Sequence, residues 1–154
     1  MSISNEICNV FKTDILKGVH NFTANGSGGT TYKIALFTSS ATLNKSTTAY
    51  AAPSSGSASP TSTHEVTSSG TNYTTGGNDL ANVTPALDGD IAQMDFTDEV
   101  FSNVTLTANG ALIYKGSGNN AVMSIAFGGD KTATSGDFTI QFPAISGTAI
   151  IEID

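Results

Sequence analysis

The chain has 154 residues, 38% hydrophobic and 12% charged, with a net charge of −7 and a pI near 4.5. That length suits one domain with a single core. The acidic balance argues against nucleic-acid and anionic-membrane partners, no apolar run reaches the ~20 residues of a bilayer-spanning helix, and a lone cysteine rules out an internal disulfide framework.

Charged residues stand at about half the usual ~25%, and serine, threonine, asparagine and glycine fill the gap. Such a hydroxyl- and amide-rich surface is typical of extracellular β proteins and virion proteins. Along the chain, residues 3–22 come first. Ile3, Ile7, Phe11, Ile15, Val19 and Phe22 recur at helical spacing, with Cys8 on their face and Glu6, Asn9, Thr13, Lys17 and His20 opposite. The pattern predicts an amphipathic helix capped by Ser2 or Ser4, weakened at Gly18 and stopped by TANGSGG. Cys8 reads as a buried structural thiol. The apolar stripe packs either on its own sheet or on a neighbouring subunit, and Ile7, Phe11 and Ile15 are its candidate partner contacts. With no basic leader ahead of a long apolar run, no signal peptide is expected.

Residues 31–39, TYKIALFTS, predict a strand apolar on both faces, and therefore central or covered by the helix. Residues 40–79 change character. Their Ser/Thr/Gly/Pro-rich run, above all AAPSSGSASPTST, predicts an exposed loop or arm over 40–65. Tyr50 and Tyr73 flank it, and Pro53 and Pro60 lie inside it. All four are candidate partner contacts, the alternative for the tyrosines being that they staple the loop ends to the body. HEVTSS adds a possible short strand.

From residue 80 the pattern is β throughout, with strands expected near 80–87, 91–97, 101–107, 110–116, 121–128, 137–143 and 148–153. The expected joints include DGD, ANG, GSGNN and GGDKTATSGD. Asp-Gly within DGD is a favoured hairpin turn, and the rest of a calcium-loop pattern is missing. Phe37, Phe96, Phe127, Phe138 and Phe142 read as core. The fold expectation is a mainly β protein: an antiparallel β-sandwich, jelly-roll-like or similar, with one N-terminal helix and a long loop.

Catalytic patterns are scarce. His20 and His64 each stand alone, no Cys/His cluster has metal-ligand spacing, and no phosphate-binding loop or nucleophile elbow occurs. A sugar-cleaving carboxylate pair would normally come with tryptophan, and the chain has none. The expectation is a non-enzyme without metal or cofactor.

The blocks FKTDILKGVHNF, TYKIALFTSSATLNKSTTAY, EVTSSGTNYTTGGNDL, NGALIYKG, NNAVMSIAFGGDKTATSGDFTIQFP and AIIEI follow in this order. Together they resemble a family of small structural proteins of tailed bacteriophages, over nearly the full length, with AAPSSGSASP as a local insertion. The resemblance implies a virion component and transfers no catalytic residue. It does not fix the place in the particle; the low-charge, acidic, single-domain β profile leads to the expectation of a capsid decoration (cement) protein on the particle exterior, made in the host bacterial cytoplasm. The partners would be the major capsid protein or other virion proteins and further copies of itself, a trimer fitting local threefold points. The alternatives are a tail- or fibre-associated receptor-binding component and a free carbohydrate-binding module.

Overall fold

A computed structural model describes residues 2–51, 64–144 and 149–154. The chain is mainly β and every strand pairing is antiparallel. In chain order the elements are β1 (Glu6–Ile7), α1 (Asn9–Leu16), a 3-10 turn (Asn25–Ser27), β2 (Tyr32–Phe37), β3 (Asn78–Leu80), β4 (Asn82–Asp88), β5 (Ile91–Phe96), β6 (Glu99–Lys115), β7 (Ala121–Ile140) and β8 (Ile151–Ile153). They form a five-stranded sheet in the order β1-β7-β6-β2-β3 and a three-stranded sheet in the order β4-β5-β8.

The expected helix over 3–22 shrinks to α1, for two physical reasons. At the front, the backbone prefers other partners: Ser4 N–H donates to Leu43 O, and Glu6 and Ile7 pair with Ser124 and Met123. At the back, Gly18 adopts φ +69°, Gly18 N–H bonds Ile15 O, and Val19 N–H bonds Asp14 O, each at 3.0 Å. This is a Schellman stop, in which a left-handed glycine lets the chain turn back onto the last carbonyls. Val19, His20 and Phe22 therefore leave the helix, and His20, expected on the solvent side, turns into the core.

β2 lies between β6 and β3 and is buried on both faces, as its continuous apolar pattern predicts. The DGD joint is a two-residue hairpin turn, with Asp88 paired to Ile91 and Gly89 at φ +62°. The strands expected near 101–107 and 110–116 are one strand, β6. Those near 121–128 and 137–143 merge likewise into β7. The ANG and GGDKTATSGD runs do not end the pairing; they bend it. Register shifts fall between Phe101 and Val104, Val104 and Leu106, and Ala108 and Gly110. Positive φ at Asn103, Gly128, Gly129 and Ser135 marks irregular backbone in the same ribbon, the signature of β-bulges. The ribbon curls enough to bring Phe127 and Phe138, both on β7, to 5.8 Å between ring centroids. A straight strand would hold them more than about 30 Å apart.

Within the expected arm over 40–65, the described ends are packed rather than exposed. Ala41, Leu43, Thr47 and Tyr50 are buried on one side, and Glu65 on the other. Pro53 and Pro60 lie outside the described residues. Of HEVTSS, Glu65 makes a single bridge to Phe37.

An aromatic cluster joins the two sheets behind α1. Phe22 stacks on Tyr32 of the larger sheet at 4.5 Å, Tyr32 meets Phe96 of the smaller sheet at 5.7 Å, and Phe96 meets Phe142 at 5.8 Å. Such pairs contribute about 0.5–1.5 kcal/mol each beyond their buried area, so this contact fixes how the smaller sheet is held. Among the described residues no helix is long and apolar enough to cross a membrane.

Candidate functional site

The smaller sheet is covered on one face only in part. Alternation along β5 places Ala92, Met94 and Phe96 on the face toward α1, and the register brings Ile153 beside Ala92 and Ile151 beside Met94. Phe11 and Ile15, one helical turn apart on α1, close over the deep end of this face with His20 and Phe22. The result is a cleft of about 140 Å³, its walls almost entirely C–H groups, with Pro85 of β4 at one side.

At the shallow end the cover stops. Leu87, paired with Ala92, is 73% exposed, and Ile153 is 55% exposed. The row Leu87–Ala92–Ile153 thus runs across all three strands as an apolar strip continuous with the cleft. Every residue of β4 from Val83 to Asp88 is exposed, although the strand carries Val83, Pro85, Ala86 and Leu87. Single exposed apolar residues are ordinary, but a bare apolar strand beside an apolar cleft marks a contact surface. β4 is also a sheet edge. Pro85, which has no N–H, and the register break between Val83 and Ala86 spoil it for pairing with another strand, so contact here has to run through side chains.

His20 and Gln93 are the polar residues of the cleft lining. His20 Nδ1 lies 3.1 Å from Tyr32 Oη and the His20 side chain is 1% exposed. Burial holds the imidazole below its usual pKa, partly opposed by the Asp14 carboxylate. Asp14 itself is buried, accepts from Asn120 Nδ2 at 2.7 Å, and has Lys17 Nζ at 3.8 Å. The cleft carries no charged wall residue, and among the described residues no three His, Cys, Asp or Glu side chains gather as a metal site would require. What this arrangement offers chemically is a largely apolar surface.

Of the residues expected to meet partners, Phe11 and Ile15 line this cleft, Phe11 as buried floor and Ile15 half-buried. Ile7 lies elsewhere, half-buried in β1 against Met123 of β7. Tyr50 and Tyr73 are 7% and 3% exposed, so neither ring offers a platform for a sugar or a partner. They do staple the loop ends. Glu65, buried beside the start of β2's neighbouring loop, accepts from Tyr50 Oη at 2.8 Å, Tyr73 Oη at 2.7 Å and Gly76 N–H at 2.6 Å. Tyr114 stacks on Tyr50 at 4.3 Å and donates to Gly76 O at 2.7 Å. One carboxylate thereby ties together two tyrosines and a glycine turn, and Tyr114 is held against both Tyr50 and that turn.

Sequence reasoning missed Leu87, Ile153 and His20. The first two look like core residues because their alternation is correct, and nothing local says that the covering layer ends before reaching them. The signal for His20 was Gly18, whose left-handed turn rotates everything after it. Comparison with family models, curated proteins and solved structures finds no match to this chain.

Proposed function

We propose that the protein is a structural component of a tailed-bacteriophage virion, a capsid decoration protein that attaches by protein–protein contact. In this reading the two sheets are the layers of a β-sandwich, and the bare apolar strip of the smaller sheet faces the shell or a neighbouring copy. The observation that carries the reading is the strip itself: Leu87 and Ile153 exposed in line beside an open apolar cleft. Fully burying an aliphatic side chain of this kind contributes about 1.5–3 kcal/mol. Leu87, Ile153 and a partner side chain in the cleft would form the centre of an interface of the standard ~1,600 Å². The block-by-block resemblance to phage structural proteins supports the same reading. The low charge and acidic balance suit an outer surface better than one against packaged DNA.

The test is stoichiometry. DNA-filled heads purified from the phage that encodes the chain should carry it at a copy number close to that of the major capsid protein. A few to a few dozen copies would place it in the neck, tail or fibres, and its absence from particles would end the virion reading.

A further inference from the structure

The curled ribbon of β6 and β7 and the loop beside it, residues 66–74, frame two adjoining hollows that share Thr71 and Thr105. The first, about 540 Å³, is lined mostly by hydroxyl and amide groups, among them Ser68, Asn72, Thr74, Asn103 and Ser135. The second, about 340 Å³, presents mainly carbon, from threonines of β6 and β7 and the buried Val66, Leu106 and Ala133. Both volumes fall within the ~300–1,000 Å³ of small-ligand sites. None of these residues belongs to the smaller sheet, so this surface is separate from the apolar strip. Four non-glycine positions among the described residues have positive φ, and three of them meet in the first hollow: Asn72 at 63°, Asn103 at 51° and Ser135 at 48°. Such backbone persists only where surrounding bonds hold it, and it clusters at ligand sites. The bonds are present. Asn72 Nδ2 donates to Asn103 O at 3.1 Å, Asn103 N–H to Asp137 Oδ1 at 3.0 Å, and Ser135 N–H to Thr105 Oγ1 at 2.9 Å. They leave side-chain tips over: the Asn103 amide and the Ser68, Thr74 and Ser135 hydroxyls bond no other group among the described residues.

We propose that the two hollows together bind a neutral carbohydrate, its hydroxyls in the first and the C–H face of a sugar ring on the second. Three features select this class. First, the free hydroxyls and the carboxamide both donate and accept, as the hydroxyls of a sugar do. Second, no charged side chain lines either hollow among the described residues, so an ionic ligand finds no counter-charge. The carboxylate next to the site, Asp137, is engaged with Asn103 N–H and would repel an acidic sugar. Third, a polar hollow beside a carbon-lined one matches a pyranose, which carries hydroxyls around its edge and C–H groups on its face. The shared residues Thr71 and Thr105 make the surface continuous, with room for a short oligosaccharide rather than one ring. The proposal goes beyond the virion reading and does not depend on it, since it uses a different surface and a different ligand.

The test applies the labelled full chain to an array of gluco-, manno- and galacto-oligosaccharides and their uronate-bearing counterparts. The neutral oligosaccharide retained most strongly is then titrated into the chain while the side-chain amide resonances of Asn103 are followed. Neutral sugars are expected to retain the chain at least about tenfold better than acidic ones of the same length, and the Asn103 amide to shift saturably. Asn103→Gly and Ser135→Gly remove the free polar groups and keep the backbone, since glycine adopts positive φ without steric cost. Each should keep the native circular dichroism spectrum and bind about fivefold more weakly, the net worth of one hydrogen bond. The amide shift is read on the unaltered chain and so decides the matter even if a variant does not fold. The proposal is overturned by absence of retention on neutral sugars, by retention on acidic sugars alone, by an unshifted Asn103 amide at saturation, or by undiminished binding in both folded glycine variants.

Discussion

Replacing Glu65 by alanine should be among the most damaging single changes available outside the apolar core. The carboxylate accepts three hydrogen bonds, from Tyr50, Tyr73 and Gly76, all within 2.8 Å. Charge-assisted bonds contribute about 1.5–3 kcal/mol each, but bonds that share one acceptor do not add. Part of the network would also survive, because Leu36 N–H still donates to Tyr73 Oη at 3.0 Å. The expected cost of Glu65→Ala is therefore about 3–5 kcal/mol, in line with breaking a buried charged network by removing one side. Glu65→Gln keeps the oxygen that serves both Tyr73 and Gly76 and offers Tyr50 an amide N–H, so it should cost about 1–2 kcal/mol. Urea unfolding followed by tyrosine fluorescence reads both variants. For a chain of this size 4 kcal/mol corresponds to a Tm lower by about 8–16 °C. A loss below about 1 kcal/mol for Glu65→Ala, or equal losses for the two variants, would refute the view that this carboxylate organises the loop.

Three further outcomes follow from the same structure. Because burial lowers the His20 pKa, the unfolded state binds the proton more readily. Stability should be full above about pH 6.5 and fall as pH drops below it, by at most about 1.4 kcal/mol per unit, levelling off beneath the depressed native value. The groups around the imidazole are Asp14, Tyr32 and the more distant Lys115, and a pH–stability profile of His20→Phe should lack this limb. Gly77→Ala should unfold the protein or cost more than about 3 kcal/mol, since φ is +70° and the new Cβ would run into the Ile34 carbonyl. Gly89→Ala, at φ +62° with open space around it, should cost only the ~1–2 kcal/mol of a left-handed residue, both read by thermal melts. Cys8 is fully buried, and burial pushes its thiol up to about 11, so an aromatic disulfide reagent should modify it no faster than the protein unfolds.

How much of this was legible depended on whether a local pattern had a local cause. β2 was readable because its burial on both faces writes a continuous apolar run. The DGD turn was readable because a two-residue hairpin demands a residue with positive φ, and glycine supplies it. The long β6–β7 ribbon was not, because glycine serves turns and bulges equally well, and only the partner strand decides whether pairing ends at ANG or bends there. The helix was overread for the opposite reason. Ile3, Ile7 and Phe22 are apolar because they fill the core from extended segments, and their spacing matches a helix by coincidence. Of the site, Phe11 and Ile15 were found from their helical face, while Leu87 and Ile153 depend on where a covering layer stops. The tyrosines were assigned a partner role or a stapling role, and Glu65, the residue that decides for stapling, carries no sequence signature of its own.

The central claim is that the apolar strip on the smaller sheet is the surface through which the protein acts. Leu87→Lys and Ile153→Lys change exposed side chains, so each variant should keep the native circular dichroism spectrum and lose less than about 1 kcal/mol of stability. The decisive measurement is the fraction of each that cosediments with phage heads stripped of the native protein, in competition with the unaltered chain. The account predicts that both are displaced at least about tenfold more readily. Undiminished attachment of the folded variants would contradict it.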